Sequence, residues 1–319
     1  MSGGVGSSST FAFALGADGT VKAWGGNTEG QLGNGSITQQ TTPAPVSQLT
    51  GIKDIAAGGM HALALDAHGQ VYAWGSNAYG QLGSTSTGDD RTAPVRVQGL
   101  GKVKEVAAGG EFSLALLEDG TVYAWGQGIH GQLGNGGLGS GHTPQRVVRL
   151  ENIAAIAAGR YHALALTSDT TVKSWGYNLY GQLGDSSTKL SAVPVDVDTL
   201  EDVSRLVVGA HHNYAVFSDG VVVGWGSNRY GQLLQDDDGA LTSITGAVEI
   251  PRLKDVQALA AGARHGVAIT GGDVYAWGDN SEGQLGNGTT TAGYHKVELP
   301  GTGYTGVAAS LDGNTTYLY

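Results

Sequence analysis

The sequence predicts an all-β chain folded as a six-bladed β-propeller of about 50-residue repeats. Three observations carry that reading. All six tryptophans (Trp24, Trp74, Trp125, Trp175, Trp225 and Trp277) stand in one motif that returns every 50 to 52 residues, and a fixed period of that size marks a solenoid, propeller or array. Between them apolar residues alternate with a period of two, broken by Asp/Gly turn signals, which is the pattern of β-hairpins. No stretch sustains a helical periodicity.

The second unit shows the elements in order. Ala56-Ala-Gly58 opens it, followed by the alternating segment His61-Ala-Leu-Ala-Leu65, an Asp66-to-Gly69 turn and Val71-Tyr-Ala-Trp74. A further strand is expected at Ala93 to Val97 and a fourth at Val103 to Ala107, leading into the next unit. Four short strands make one propeller blade, with small Ala and Gly residues toward the axis and Trp between blades. In the fourth unit Asp169-Thr-Thr171 replaces Asp-Gly-Thr, which predicts a different turn type there. The whole chain, 1–319, reads as one propeller domain. Thr10 to Leu15 supplies a second strand at the N-terminus, while Val307-Ala-Ala-Ser310 repeats the first strand of a unit. The expectation is that the C-terminal strand closes the ring by completing the first blade, leaving residues 311–319 unassigned; a seven-bladed or incompletely closed ring is the alternative.

Composition narrows the partners. Charged residues are only 14% and the formal net charge is −11, with 17 basic residues among 28 acidic ones. Phosphate backbones and anionic membranes need Lys/Arg-rich faces, so neither nucleic acid nor membrane is expected as a partner. There are no cysteines, hence no disulfides or thiolate chemistry. The Gly/Ser-rich start lacks the features of a signal peptide, so a cytoplasmic location is expected, or a secreted one if a signal peptide was removed.

The repeated string Gly-x-x-His-x-x-Ala-Leu…Gly-x-Val-Tyr-x-Trp-Gly-x-Asn-x-x-Gly-Gln-Leu-Gly resembles the repeats of the regulator of chromosome condensation family, over essentially the whole chain. The resemblance implies a propeller that binds other proteins. Members of the family act as guanine-nucleotide exchange factors, as parts of ubiquitin ligases and, in bacteria, as inhibitors that cap a β-lactamase. In photoreceptor members the loop before the repeated His carries light-sensing tryptophans, and this chain has none there.

Several positions invite a chemical reading. Gly126-Gln-Gly128-Ile-His-Gly131 matches a dinucleotide fingerprint, but it is the third copy of the loop after Trp, and no helix is expected to follow it, so no cofactor is assigned. His61, His162, His212 and His265 share a repeat position that holds Phe11 and Phe112 elsewhere; the exchange with Phe argues for packing rather than metal binding, and no metal is assigned. Gln235-Asp-Asp-Asp238 reads as a solvated acidic loop rather than a cation site. The residue just before the repeated His varies in chemistry while its flanks repeat: Met60, Glu111, Tyr161, His211 and Arg264. A second variable set, Tyr79, His130, Tyr180 and Tyr230, precedes Gly-Gln-Leu. Rigid aromatic and charged residues on loops are the material of binding sites.

No Ser–His–Asp arrangement or paired carboxylates mark an active site, so no enzymatic activity is expected. The leading reading is a non-catalytic, monomeric protein–protein interaction module that presents a variable loop face. An enzyme inhibitor resembling the propeller-type β-lactamase inhibitor and a multivalent lectin with tyrosines stacked on sugars are the alternatives. An exchange factor is disfavoured by the lack of a long insertion and of a basic tail.

Overall fold

The computed structural model of the chain describes residues 2–6, 9–84, 88–198, 200–235, 242–298, 304–311, 313 and 315–319. Its fold is a six-bladed β-propeller: six four-stranded antiparallel sheets in a ring, with a two-stranded sheet at the seam between the last blade and the first. Blade one is β1 (Ser2–Gly6), β2 (Ser9–Leu15), β3 (Val21–Gly25) and β4 (Gln40–Pro45). Blade two is β5 (Ile52–Ala57), β6 (His61–Asp66), β7 (Val71–Gly75) and β8 (Arg91–Arg96). Blade three is β9 (Val103–Ala108), β10 (Phe112–Leu117), β11 (Val122–Gly126) and β12 (Gly141–Arg146). Blade four is β13 (Ile153–Ala158), β14 (His162–Thr167), β15 (Val172–Gly176) and β16 (Ser191–Asp196). Blade five is β17 (Val203–Val208), β18 (His212–Phe217), β19 (Val222–Ser227) and β20 (Ser243–Glu249). Blade six is β21 (Val256–Ala261), β22 (His265–Thr270), β23 (Asp273–Gly278) and β24 (Gly293–Lys296), and the seam sheet is β25 (Val307–Ala309) with β26 (Thr316–Leu318).

Three expectations are corrected. The segment from Val103 belongs to the next blade, as its innermost strand, so each blade ends at the strand after the Gly-Gln-Leu-Gly loop. The first blade is completed by the N-terminal β1, not by the C-terminal strand. Residues 307–309 and 316–318 instead pair with each other, as first and second strands of a further repeat, and β25 sits between β21 and β1 around the axis. Finally, the Asp169-Thr-Thr171 turn is not a different type. Gly120 N–H bonds Leu117 O and Thr170 N–H bonds Thr167 O, both at 3.0 Å. Thr170 simply adopts the left-handed conformation (φ 69°) that Gly120 (φ 79°) adopts in blade three.

Packing follows the repeat. The second strand of each blade is buried on both faces, because its sheet is sandwiched between neighbours. Each of Trp74, Trp125, Trp175, Trp225 and Trp277 is fully buried in the preceding blade's core. Trp74, for example, joins Phe13, Leu32 and Val46 of blade one. The inner strands face an axial channel of about 440 Å³ lined by small residues such as Ala56, Ala107 and Ala260, with Arg205 among them. Among the described residues no helix is long and apolar enough to cross a membrane.

Three of the four repeated histidines, His61, His162 and His265, make a ring hydrogen bond to the following sheet. His61 Nε2 lies 2.9 Å from Ser113 Oγ, and that hydroxyl donates its one proton to Gln81 O at 2.8 Å. The imidazole must therefore donate from Nε2. His162 repeats the relay through Asn213 Oδ1 at 2.7 Å, whose Nδ2 donates to Gln182 O at 2.9 Å. Burial pushes the His61 pKa down to about 3 and that of His162 to about 4, so both rings are neutral. The ring also explains the glycine of Ala-Ala-Gly: a Cβ on Gly58 would lie 2.3 Å from the His61 ring. His162→Phe, the exchange already present at Phe112, is expected to leave the fold intact. It strands Asn213 Oδ1 and should cost about 1–2 kcal/mol in a thermal melt.

Candidate functional site

In every blade the loop between first and second strands and the loop after the third strand emerge at the same end of the ring. The start of the second strand pairs with the end of the third: His61 with Gly75, Phe112 with Gly126, His162 with Gly176. All nine variable residues of the two sets sit in these loops, so they share one face.

Backbone hydrogen bonds fix both loops and leave the side chains free to differ. The carbonyls of Met60, Glu111, Tyr161, His211 and Arg264 accept from the N–H of Ser76, Gln127, Tyr177, Ser227 and Asp279 at 2.8–3.0 Å. The N–H groups of Tyr79, His130, Tyr180 and Tyr230 donate to the side-chain oxygens of Gln81, Gln132, Gln182 and Gln232 at 2.8–2.9 Å. Successive first loops are tied to one another as well. Gly110 N–H bonds Arg160 O at 3.0 Å, and Arg160 N–H bonds Ala210 O at 3.1 Å. A framework held this way is ordered before a partner arrives, which lowers the entropic cost of binding.

The side chains are not spread evenly. His130, Tyr161, Tyr180 and His211 converge, with ring centroids 5.0–6.3 Å apart through a fifth ring, Tyr177. The sequence reading missed Tyr177. Its signal was the position after Trp-Gly, which holds Gly26, Ser76, Gln127, Tyr177, Ser227 and Asp279 and is as variable as the sets that were chosen. Arg160 lies over the Tyr161 ring at 5.3 Å and its Nε donates to the Tyr161 hydroxyl at 3.0 Å. Arg264 lies over the Tyr230 ring at 4.8 Å, near the Asp279 carboxylate at 3.7 Å. These contacts bring Arg264 and Tyr230 together beside the aromatic cluster.

Burial, helped by the positive charges of Arg160 and Arg264, pushes the His211 pKa down to about 3, so the ring is neutral and can offer a donor or an acceptor. Its Nδ1 and the Nε2 of Gln182 are buried without partners. The structure places Glu111 elsewhere on the face, where it accepts from Gln81 Nε2 at 2.7 Å. Met60 is half-buried and Tyr79 exposed, and neither joins the cluster. In blade one the Glu29 carboxyl is held above its usual range by a hydrogen bond with Asp90. Glu29, Asp90 and Glu111 thus lie on the loops of blades one to three, while in blades four to six Arg160 and Arg264 stand over tyrosines, with Asp279 and Glu282 on the same loops of blade six.

The other motifs resolve simply. The Gly126–Gly131 loop runs through a turn into β12, so no helix N-terminus stands there to receive a pyrophosphate. The acidic run 236–238 lies outside the described residues.

The profile of the family described as the RCC1-like domain matches residues 4–313. Over 120 residues the chain is 35% identical to the ultraviolet-B receptor UVR8 of Arabidopsis thaliana, a stretch that is 36% of this chain and 27% of the receptor. Over 134 residues it is 36% identical to the human E3 ubiquitin-protein ligase HERC2, covering 40% of this chain and 3% of the ligase. The matched regions thus span well under two thirds of these relatives. Among solved structures, yeast RCC1 (Prp20) in its complex with Kap60 superimposes with a TM-score of 0.83 at 25% identity, covering 97% of this chain and 77% of that one. Human WBSCR16 gives 0.84 at 26% identity, covering 98% and 84%.

Proposed function

The chain belongs to the RCC1-like domain family, and from that premise we propose that it is a non-catalytic protein-interaction module, one propeller over residues 1–319. Its partner docks on the loop face, centred on the His130, Tyr161, Tyr177, Tyr180 and His211 cluster. The observation that carries this reading is the cluster itself: five rings from three blades gathered on a hydrogen-bonded framework and flanked by Arg160 and Arg264. Aromatic and arginine side chains around partly desolvated polar groups are the composition of binding hot spots. That RCC1 (Prp20) is solved in complex with a protein, Kap60, supports a protein as the partner class. An inhibitor role is the same reading with an enzyme as the partner.

The test is affinity capture from the source organism's lysate and culture medium. It compares wild type, a Tyr161→Ala/Tyr177→Ala/His211→Ala variant, and a Lys102→Ala control at the opposite end of the ring. Wild type and control should hold the same protein, and the triple variant should bind it at least about 30-fold more weakly. Equal binding by all three, with unchanged melts, sinks the proposed face; capture of glycans alone turns the reading toward a lectin.

A further inference from the structure

The axis of the ring holds a site of a different kind from the loop face. Its wall is continuous: β1, β5, β9, β13, β17, β21 and β25 touch in turn, and β25 returns to β1. At the fifth position of their strands Ala56, Ala107, Val207 and Ala260 line the channel with small apolar groups. The cavity, about 440 Å³, extends from Arg205 to the last residues of the inner strands, such as Ala57, Ala108 and Ala261, beside the loop face. That volume falls within the ~300–1,000 Å³ of ordinary ligand pockets.

Among the described residues Arg205 is the single charged side chain of this lining. It is the third residue of β17, and the same position holds Asp54 in β5, Glu105 in β9, Ala155 in β13 and Ala258 in β21. Both carboxylates are committed elsewhere: Glu105 Oε1 accepts from Ile156 N–H and Asp54 accepts from Val106 N–H, each in the next blade. On the strands either side of β17 the position is alanine, which offers no acceptor. Among the described residues the Arg205 guanidinium has neither hydrogen bond nor ion pair. Burial pulls its pKa below the ordinary value, and no carboxylate opposes that shift. Arginine still keeps its charge at any physiological pH. A half-buried fork of N–H donors facing an apolar ring is complementary to an anion with an apolar body.

We propose that the axial channel binds a free aliphatic monocarboxylate, its head paired with Arg205 and its chain lying along Ala56, Ala107, Val207 and Ala260. The geometry sets the length of the chain. From Arg205 to Val208 the strand rises about 10 Å, the reach of an extended chain of about eight carbons. A planar carboxylate matches the guanidinium fork with two parallel hydrogen bonds. An inorganic anion would meet the charge but gain nothing from the alanine ring, and an aliphatic alcohol would gain the ring without the charge. The site takes the molecule that has both.

The probe is octanoate, titrated into the intact chain and followed by calorimetry. Saturable binding at one site per chain is expected, and each methylene added between butyrate and octanoate should tighten it by up to about fourfold. Inorganic phosphate and 1-octanol should each bind at least about 10-fold more weakly than octanoate. Arg205→Met keeps the stem and removes the charge, and should weaken octanoate by about 10-fold or more. Arg96→Met, at the exposed end of the outer strand β8, should leave the affinity unchanged. Should Arg205→Met fail to fold, the comparison of octanoate with 1-octanol and phosphate on the unaltered chain decides alone. No binding at millimolar octanoate, equal binding of the alcohol or of phosphate, or an affinity unmoved by Arg205→Met would each overturn the proposal.

Discussion

Trp125→Ala is expected to lower stability by about 3–5 kcal/mol, a fall in Tm on the order of 10 °C for a domain of this size. Trp125 is fully buried between two blades and its Nε1 donates to Gln81 O at 2.8 Å. The slot around it cannot collapse easily, because its walls are backbones held in register by two sheets, and a cavity that stays open carries the full cost of lost contacts. The carbonyl of Gln81 retains Ser113 Oγ at 2.8 Å, so the lost hydrogen bond is the smaller share. The same substitution at Trp24 is a built-in comparison. Trp24 occupies the equivalent position but is only half-buried at the seam, so Trp24→Ala should cost about 1–2 kcal/mol. Thermal melts of the two variants side by side test the claim; equal losses would show that the slots are not what holds the blades together.

That contrast also marks how far the sequence could be read. The blade, its four strands and the burial of tryptophan between blades were legible because each rests on local pattern repeated six times: alternation, Asp/Gly turns, Trp-Gly. The seam was not, because only part of a repeat exists there, and first-strand residues such as Val307-Ala-Ala look alike whether they complete blade one or begin another sheet. The two variable sets were legible as loops, since their neighbours repeat. What the sequence could not show is which members meet. His130, Tyr161, Tyr180 and His211 come from consecutive blades and meet one another and Tyr177 in one cluster, while Met60 and Tyr79, equally variable, lie apart. Variation locates a face, but packing across blades decides where on that face the rings gather.

The inner strands supply the second large effect, one that depends on pH. Glu105 stands at the third position of β9, and its Oε1 accepts from Ile156 N–H of the next blade at 3.4 Å. Burial, with the nearby Asp54 carboxylate adding to it, pushes its pKa up from 4.5 to about 7, although the Ile156 bond pulls the other way. The folded chain therefore holds a proton that the unfolded chain releases above pH 4.5. This contribution to stability is full below pH 4.5 and is lost as pH rises through 7. Glu105→Gln keeps the shape and the acceptor without the charge. At pH 8.5 it should stabilise the fold by about 1–3.5 kcal/mol, the upper figure being the whole shift at ~1.4 kcal/mol per unit, and at pH 4 the gain should vanish. The readout is the difference in Tm between variant and wild type across that range, which cancels the titration of every other carboxyl. A difference that does not change with pH would mean that Glu105 is ionised in water-like surroundings. The channel wall would then be wetter than its ring of alanines implies.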